Sequence, residues 1–124
     1  MRLESQTAIV TGAGGTGGIG EAIARRFVSE GARVVVCDID AEKARNVAAA
    51  LGPNAMPWMC DVSRSDQVEA MVAGTVRAFG RLDILVNNVG FTVPGLLREL
   101  TDEAWQHVVN GCLSSTFYGT RAAL

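Results

Sequence analysis

The chain has 124 residues, a formal net charge of −2, and 48% hydrophobic but only 6% aromatic residues. That length holds one domain with a modest core. Ten arginines and one lysine, scattered rather than striped, argue against a nucleic-acid partner, and no apolar run reaches the length of a membrane span.

Met1 to Gln6 leads almost at once into a short apolar strand, Thr7-Ala8-Ile9-Val10. No secretory apolar segment precedes it, so a cytoplasmic location is expected. The run Thr11-Gly12-Ala13-Gly14-Gly15-Thr16-Gly17-Gly18-Ile19-Gly20 follows, and Ala22, Ile23, Phe27 and Val28 then recur at helical spacing. Strand, glycine loop and helix start together present free backbone N–H groups and a positive helix end to a phosphate. Glycine suits this place because a Cβ blocks close approach and because such turns demand positive φ. An ordinary strand-to-helix turn is the alternative.

The first helix is predicted from about Gly18 to Glu30, stopped by Gly31. Arg33 to Cys37 is a second, β-branched strand that ends in Asp38-Ile39-Asp40. A second helix carries Ala44, Val47, Ala48 and Leu51 on one face and closes at Gly52-Pro53. Ala55 to Cys60 is a weaker third strand. Ser63 or Ser65 is expected to cap a third helix, with Val68, Met71, Val72, Val76 and Phe79 in helical period up to Gly80. Leu82 to Val86 is the fourth strand. Such strand–helix alternation with short links is the doubly wound pattern, whose ligands bind at the carboxyl edge of a parallel sheet.

Asp38, about twenty residues past the glycines, stands where a carboxylate accepts hydrogen bonds from an adenosine ribose and repels a 2′-phosphate. It argues for NAD over NADP; the other reading is a helix N-cap, a role Asp40 can take instead. Asp61-Val62 lies on the same edge and can meet an adenine, or Asp61 simply makes a turn. Cys37, Cys60 and Cys112 have no metal or redox spacing and read as reduced packing residues, and His107, the single histidine, as a surface or packing residue. No metal is expected.

Asn87-Asn88-Val89-Gly90 closes the fourth strand, and Trp105-Gln106-His107-Val108-Val109-Asn110 lies further on. Thr-Gly before Gly-Ile-Gly, the aspartate after strand two, Asp-Val after strand three, Asn-Asn-x-Gly and Trp-x-x-x-x-Asn together resemble the short-chain dehydrogenase/reductases over nearly the whole chain. The resemblance implies an α/β fold: a doubly wound, Rossmann-like parallel sheet, here truncated after the fourth strand and the long helix that follows it. Residues 1–124 are then one incomplete dinucleotide-binding domain. It further implies that Gly12, Gly18, Ile19 and Gly20 wrap the pyrophosphate of NAD, that Asp38 holds the ribose, and that Asp61 and Val62 hold the adenine. Asn87 would brace the central sheet near the adenosine half, beside Gly90. Asn110 matches the helix asparagine of the catalytic relay, although it can equally satisfy a neighbouring backbone group.

Two departures from the family pattern stand out. Five residues, Ala13 to Gly17, separate Thr-Gly from Gly-Ile-Gly where the family has three, and two overlapping glycine registers result, Gly12-Gly14-Gly17 and Gly15-Gly17-Gly20. The additional residues bring backbone entropy to be lost on binding, and weaker cofactor affinity is expected. Secondly, the family's catalytic serine and Tyr-x-x-x-Lys pair are not found: Tyr118 is followed four residues on by Ala122, and Lys43 is the single lysine. The parent activity is alcohol–carbonyl oxidoreduction on an unidentified small substrate, and turnover from these residues alone is not expected. A dinucleotide-binding module without catalysis and a self-associating structural fragment are the alternatives, and with strand four at an edge a homo-oligomer is expected.

Overall fold

The computed structural model describes residues 1–124. Four parallel strands, β1 (Thr7–Val10), β2 (Arg33–Asp38), β3 (Ala55–Met59) and β4 (Ile84–Val86), form one sheet in the order β3-β2-β1-β4. Helices α1 (Ile19–Ser29), α2 (Ala41–Leu51) and α3 (Ser65–Phe79) make the crossovers. The registers Ile9↔Val35, Ile9↔Leu85 and Val35↔Met56 place β1 and β2 inside, which is why both read as unbroken apolar runs. β3 is an edge strand, and only there is Pro57 tolerated without the loss of a ladder bond.

Strand alternation splits the core into two layers. Ala8, Val10, Val34 and Val36 face α1 and α2, where Ala24, Val47 and Ala48 cover them. Ile9, Val35 and Cys37 face the other way, onto Val68 and Met71 of α3. Full burial of each such valine or isoleucine contributes about 1.5–3 kcal/mol. This is the doubly wound arrangement, and it gathers the carboxyl ends of all four strands along one edge.

Three boundaries differ from the sequence reading. β4 starts at Ile84; just before it the Asp83 N–H donates to the Thr7 carbonyl (2.9 Å), and the Asp83 carboxylate accepts from the Thr7 amide (2.8 Å) and the Arg81 guanidinium (2.6 Å). Neither Ser63 nor Ser65 caps α3. Arg64 holds the N-cap position without a side-chain bond, and Asp61 has drawn Ser63 into a turn of its own. The segment predicted as one long helix is broken into α4 (Asp102–Val108), π-helical turns over Val109–Ser114, and α5 (Ser115–Ala123), after a short 3-10 turn at Leu97–Glu99.

Candidate dinucleotide site

The site grows from the chain leaving each strand. After β1, the Thr11 hydroxyl donates to the Val86 carbonyl (3.2 Å) and accepts from the Asn88 amide (3.0 Å). Asn88 Nδ2 donates to the carbonyls of Thr11 (2.9 Å) and Gly12 (3.2 Å). These bonds fasten the root of the glycine loop to the end of β4. Gly20 packs directly above them. A Cβ there would lie 2.6 Å from Asn88 Nδ2 and 2.7 Å from the Gly12 carbonyl oxygen, so only glycine lets α1 start this close to β1.

At the start of α1 the amides divide into two sets. The Gly18 N–H donates to the Gly15 carbonyl (3.0 Å) and is used up in a turn. The N–H groups of Ile19, Gly20 and Glu21 have no acceptor in the chain, as expected for the first turn of a helix, and they are the donors open to a phosphate. The Gly15 and Thr16 N–H groups in the loop likewise have no acceptor, so open amides occur in both glycine registers.

Asp38, at the end of β2, accepts the Gly14 N–H on Oδ2 (3.0 Å) and the Asp40 N–H on Oδ1 (3.0 Å). Each carboxylate oxygen keeps a further lone pair. The capping role belongs to Asp40, whose Oδ1 accepts the Glu42 and Lys43 amides of α2 (3.0 and 3.1 Å). Asp61 does make its turn: Oδ1 accepts the Ser63 amide (3.0 Å) and hydroxyl (2.6 Å), and the Asp61 amide donates to Gln67 (2.8 Å).

A cavity of about 300 Å³ opens among these chain ends, and Gly12, Asp38, Asp61 and Val62 all line it. Its walls also include Ile39, Val89, Phe91 and His107. His107 is exposed and packs as the sequence suggests: its ring stands 4.7 Å from that of Phe91, which lies over Gly111. The sequence signal for that wall was the i,i+4 spacing of His107 and Gly111, which puts both on one helix face. Cys37 and Cys60 are buried free thiols in the same wall. The adjacent Cys60 sulfur, and burial after it, hold the Cys37 thiol far above its ordinary range.

The remaining sequence candidates lie outside this cavity. Asn87 is exposed and its Nδ2 reaches only Thr120 of α5 (3.5 Å); the bracing is carried by Asn88. Gly90 is exposed in the loop after β4. Asn110 sits in the π-helical turns with its Oδ1 bound to Gln106 Nε2 (2.8 Å), and its carbonyl accepts the Ser115 amide. It is one residue from Gly111, which does line the cavity. No cluster of side chains suited to a metal ion is present.

A parallel doubly wound sheet with open amides at the first helix and a carboxylate after β2 is an arrangement of Rossmann type. The sequence profile of the short chain dehydrogenase family matches residues 6–124, and the chain belongs to that family. An uncharacterized oxidoreductase of Mycobacterium bovis is 41% identical over 98% of this chain and 49% of its own length. A short chain dehydrogenase from Mycobacterium smegmatis superposes with a TM-score of 0.94 at 37% identity, over 98% of this chain and 52% of that one. A 3-ketoacyl-(acyl-carrier-protein) reductase from Brucella melitensis, solved in complex with NADH, superposes with a TM-score of 0.90 at 34% identity, over 96% and 48%. The chain thus spans about half the length of the relatives it matches. No helix is long and apolar enough to cross a membrane.

Proposed function

We propose that these residues form the NAD-binding half of an alcohol–carbonyl oxidoreductase, and that by themselves they bind the dinucleotide without turning over a substrate. The observation that carries the reading is the Asp38 carboxylate, held at the cavity wall by Gly14 and Asp40 with lone pairs to spare. There it suits the two hydroxyls of an adenosine ribose and opposes a 2′-phosphate, which favours NAD over NADP. The open amides of Ile19 and Gly20 suit the pyrophosphate, and the cavity beside Asp61 and Val62 suits the adenine. The NADH in the Brucella reductase supports the same class of ligand. When bound, the nicotinamide supplies the hydride chemistry; the protein supplies its position and electrostatics.

Turnover needs an acid for the developing alkoxide. A tyrosine serves near neutral pH only beside a cation that lowers its pKa. Tyr118 is the single tyrosine, and the guanidinium nearest to it, Arg121, lies over the ring faces of Phe117 and Tyr118 on α5, a helix that contributes no residue to the cavity. The substrate class remains alcohol or carbonyl, with a cytoplasmic location.

NADH titration followed by cofactor fluorescence tests the reading. Saturable enhancement is expected, with NADPH about tenfold weaker, and Asp38→Ala should cost NADH about tenfold and erase most of that preference. Equal affinities for NADH and NADPH would overturn the NAD assignment. Absence of saturation would favour the second reading, a self-associating fragment, for which the exposed Trp105, Leu113 and Phe117 speak.

A further inference from the structure

We propose that Glu21 is a positioning residue that tethers the lengthened glycine loop, so that the open amides at the start of α1 are presented to the pyrophosphate; this rests on the dinucleotide reading above. The lengthened loop ends in a β-turn, Gly15 to Gly18, closed by the Gly18 N–H on the Gly15 carbonyl (3.0 Å). Gly17 occupies its third position at φ +80°, where a type II turn takes glycine. A Cβ built at Gly15 or Gly17 meets nothing within 4 Å, so the tip has no packing to hold it. Its one side-chain contact is Glu21, whose Oε2 accepts the Gly17 N–H at 2.6 Å.

In a capping box the residue three positions into the helix reaches back to the N-cap amide. Here Gly18 is the N-cap and Glu21 that third residue, but the Gly18 amide already closes the turn, and the carboxylate reaches one residue further, to Gly17. Arg25 Nη2 grips the other carboxylate oxygen at 2.7 Å, fixing its direction and offsetting its charge towards a phosphate. Arg25 and the Gly17 amide hold the Glu21 carboxyl below its ordinary range, so the acceptor is present throughout the neutral range. Two consecutive amides are thereby fixed ahead of Ile19 and Gly20. The tether thus removes, before the ligand arrives, part of the disorder that two added loop residues would bring.

The test compares the chain with Glu21→Ala and Glu21→Gln, the glutamine retaining an acceptor oxygen. NADH affinity is expected to fall about five- to tenfold in Glu21→Ala and to stay within about twofold of the parent in Glu21→Gln. Adenosine, which lacks the pyrophosphate, should bind all three alike in an NMR titration. An unchanged NADH affinity in Glu21→Ala overturns the tether, as does tighter binding in both variants, which would make the carboxylate a rival of the phosphate. Amide exchange at Gly17 reads the tether without any ligand: it should speed up in Glu21→Ala and not in Glu21→Gln, and equal exchange in all three overturns it. A parent that binds no NADH would instead overturn the dinucleotide reading and leave the exchange measurement to decide the tether.

Discussion

Asn88 is the residue on which the loop and the sheet edge both depend. Its Nδ2 reaches the Thr11 and Gly12 carbonyls, and its amide reaches the Thr11 hydroxyl, so one side chain joins β1, β4 and the glycine loop. Asn88→Ala leaves two part-buried carbonyls without their donor and is expected to lower stability by about 1–3 kcal/mol in urea denaturation. NADH affinity should fall with it, because Gly12 lines the cavity. Gly20→Ala attacks the same point from above. Its Cβ would press on Asn88 Nδ2 and the Gly12 carbonyl, both part of fixed hydrogen-bond geometry, and a loss of about 1–3 kcal/mol is expected from such overpacking. The sequence names the asparagine pair but not the division of labour within it. Successive residues leaving a strand point to opposite sides, and only the path of α5 shows that Asn87 meets Thr120 while Asn88 meets the loop.

At the scale of elements, each strand and helix reads from sequence in proportion to how one-sided or complete its burial is. β1 and β2 are covered on both faces and α1 to α3 on one, which leaves an apolar run or a helical period in the residues themselves. β4 is shorter than its apolar run suggests: Asp83 still donates its N–H to the Thr7 carbonyl (2.9 Å), and its carboxylate binds the Thr7 amide and Arg81. The π-helical turns left no trace: Val109 to Ser114 reads as a continuation of the helix, and the Phe91 ring that lies against Gly111 within them comes from a distant loop. Asp83 also gives a pH dependence. Arg81 first, and the Thr7 amide after it, hold its carboxyl below the ordinary range in the folded chain. A depressed folded pKa gives stability that is present above the unfolded value near 4 and is lost as pH falls through the lower folded value. Asp83→Asn should therefore be less stable than the parent at pH 7, and the two unfolding curves should converge as the pH is taken below the depressed folded value. The α3–β3 seam offers a second check. The Trp58 ring lies against Gly74 so closely that no Cβ fits, and Gly74→Ala should cost about 1–3 kcal/mol by overpacking.

For the whole molecule, the layers are unequal: β1 and β2 are sealed, whereas β4 lies at the sheet edge with Ile84, Leu85 and Val86 only half-buried. Beside it, the far side of the α4–α5 segment carries Trp105, Leu113 and Phe117 at 60%, 68% and 56% exposure. Scattered exposed apolar residues are ordinary, but these three share one helical segment next to an open strand edge, and such an edge is a template for pairing. A stable interface buries about 1,200–2,000 Å² in total, a demand that a helix face of this length together with an edge strand can meet only with a second chain or a further segment. The isolated chain is therefore expected to self-associate, with a mass by light scattering that climbs as concentration is raised. Leu113→Glu combined with Phe117→Glu should return the mass towards the monomer, because the charges sit at positions that are already exposed in the single chain and become costly only when covered. A constant monomer mass in the parent across a wide concentration range would refute the expectation, whereas self-association that survives both glutamates would move the contact from the helix face to the edge of β4.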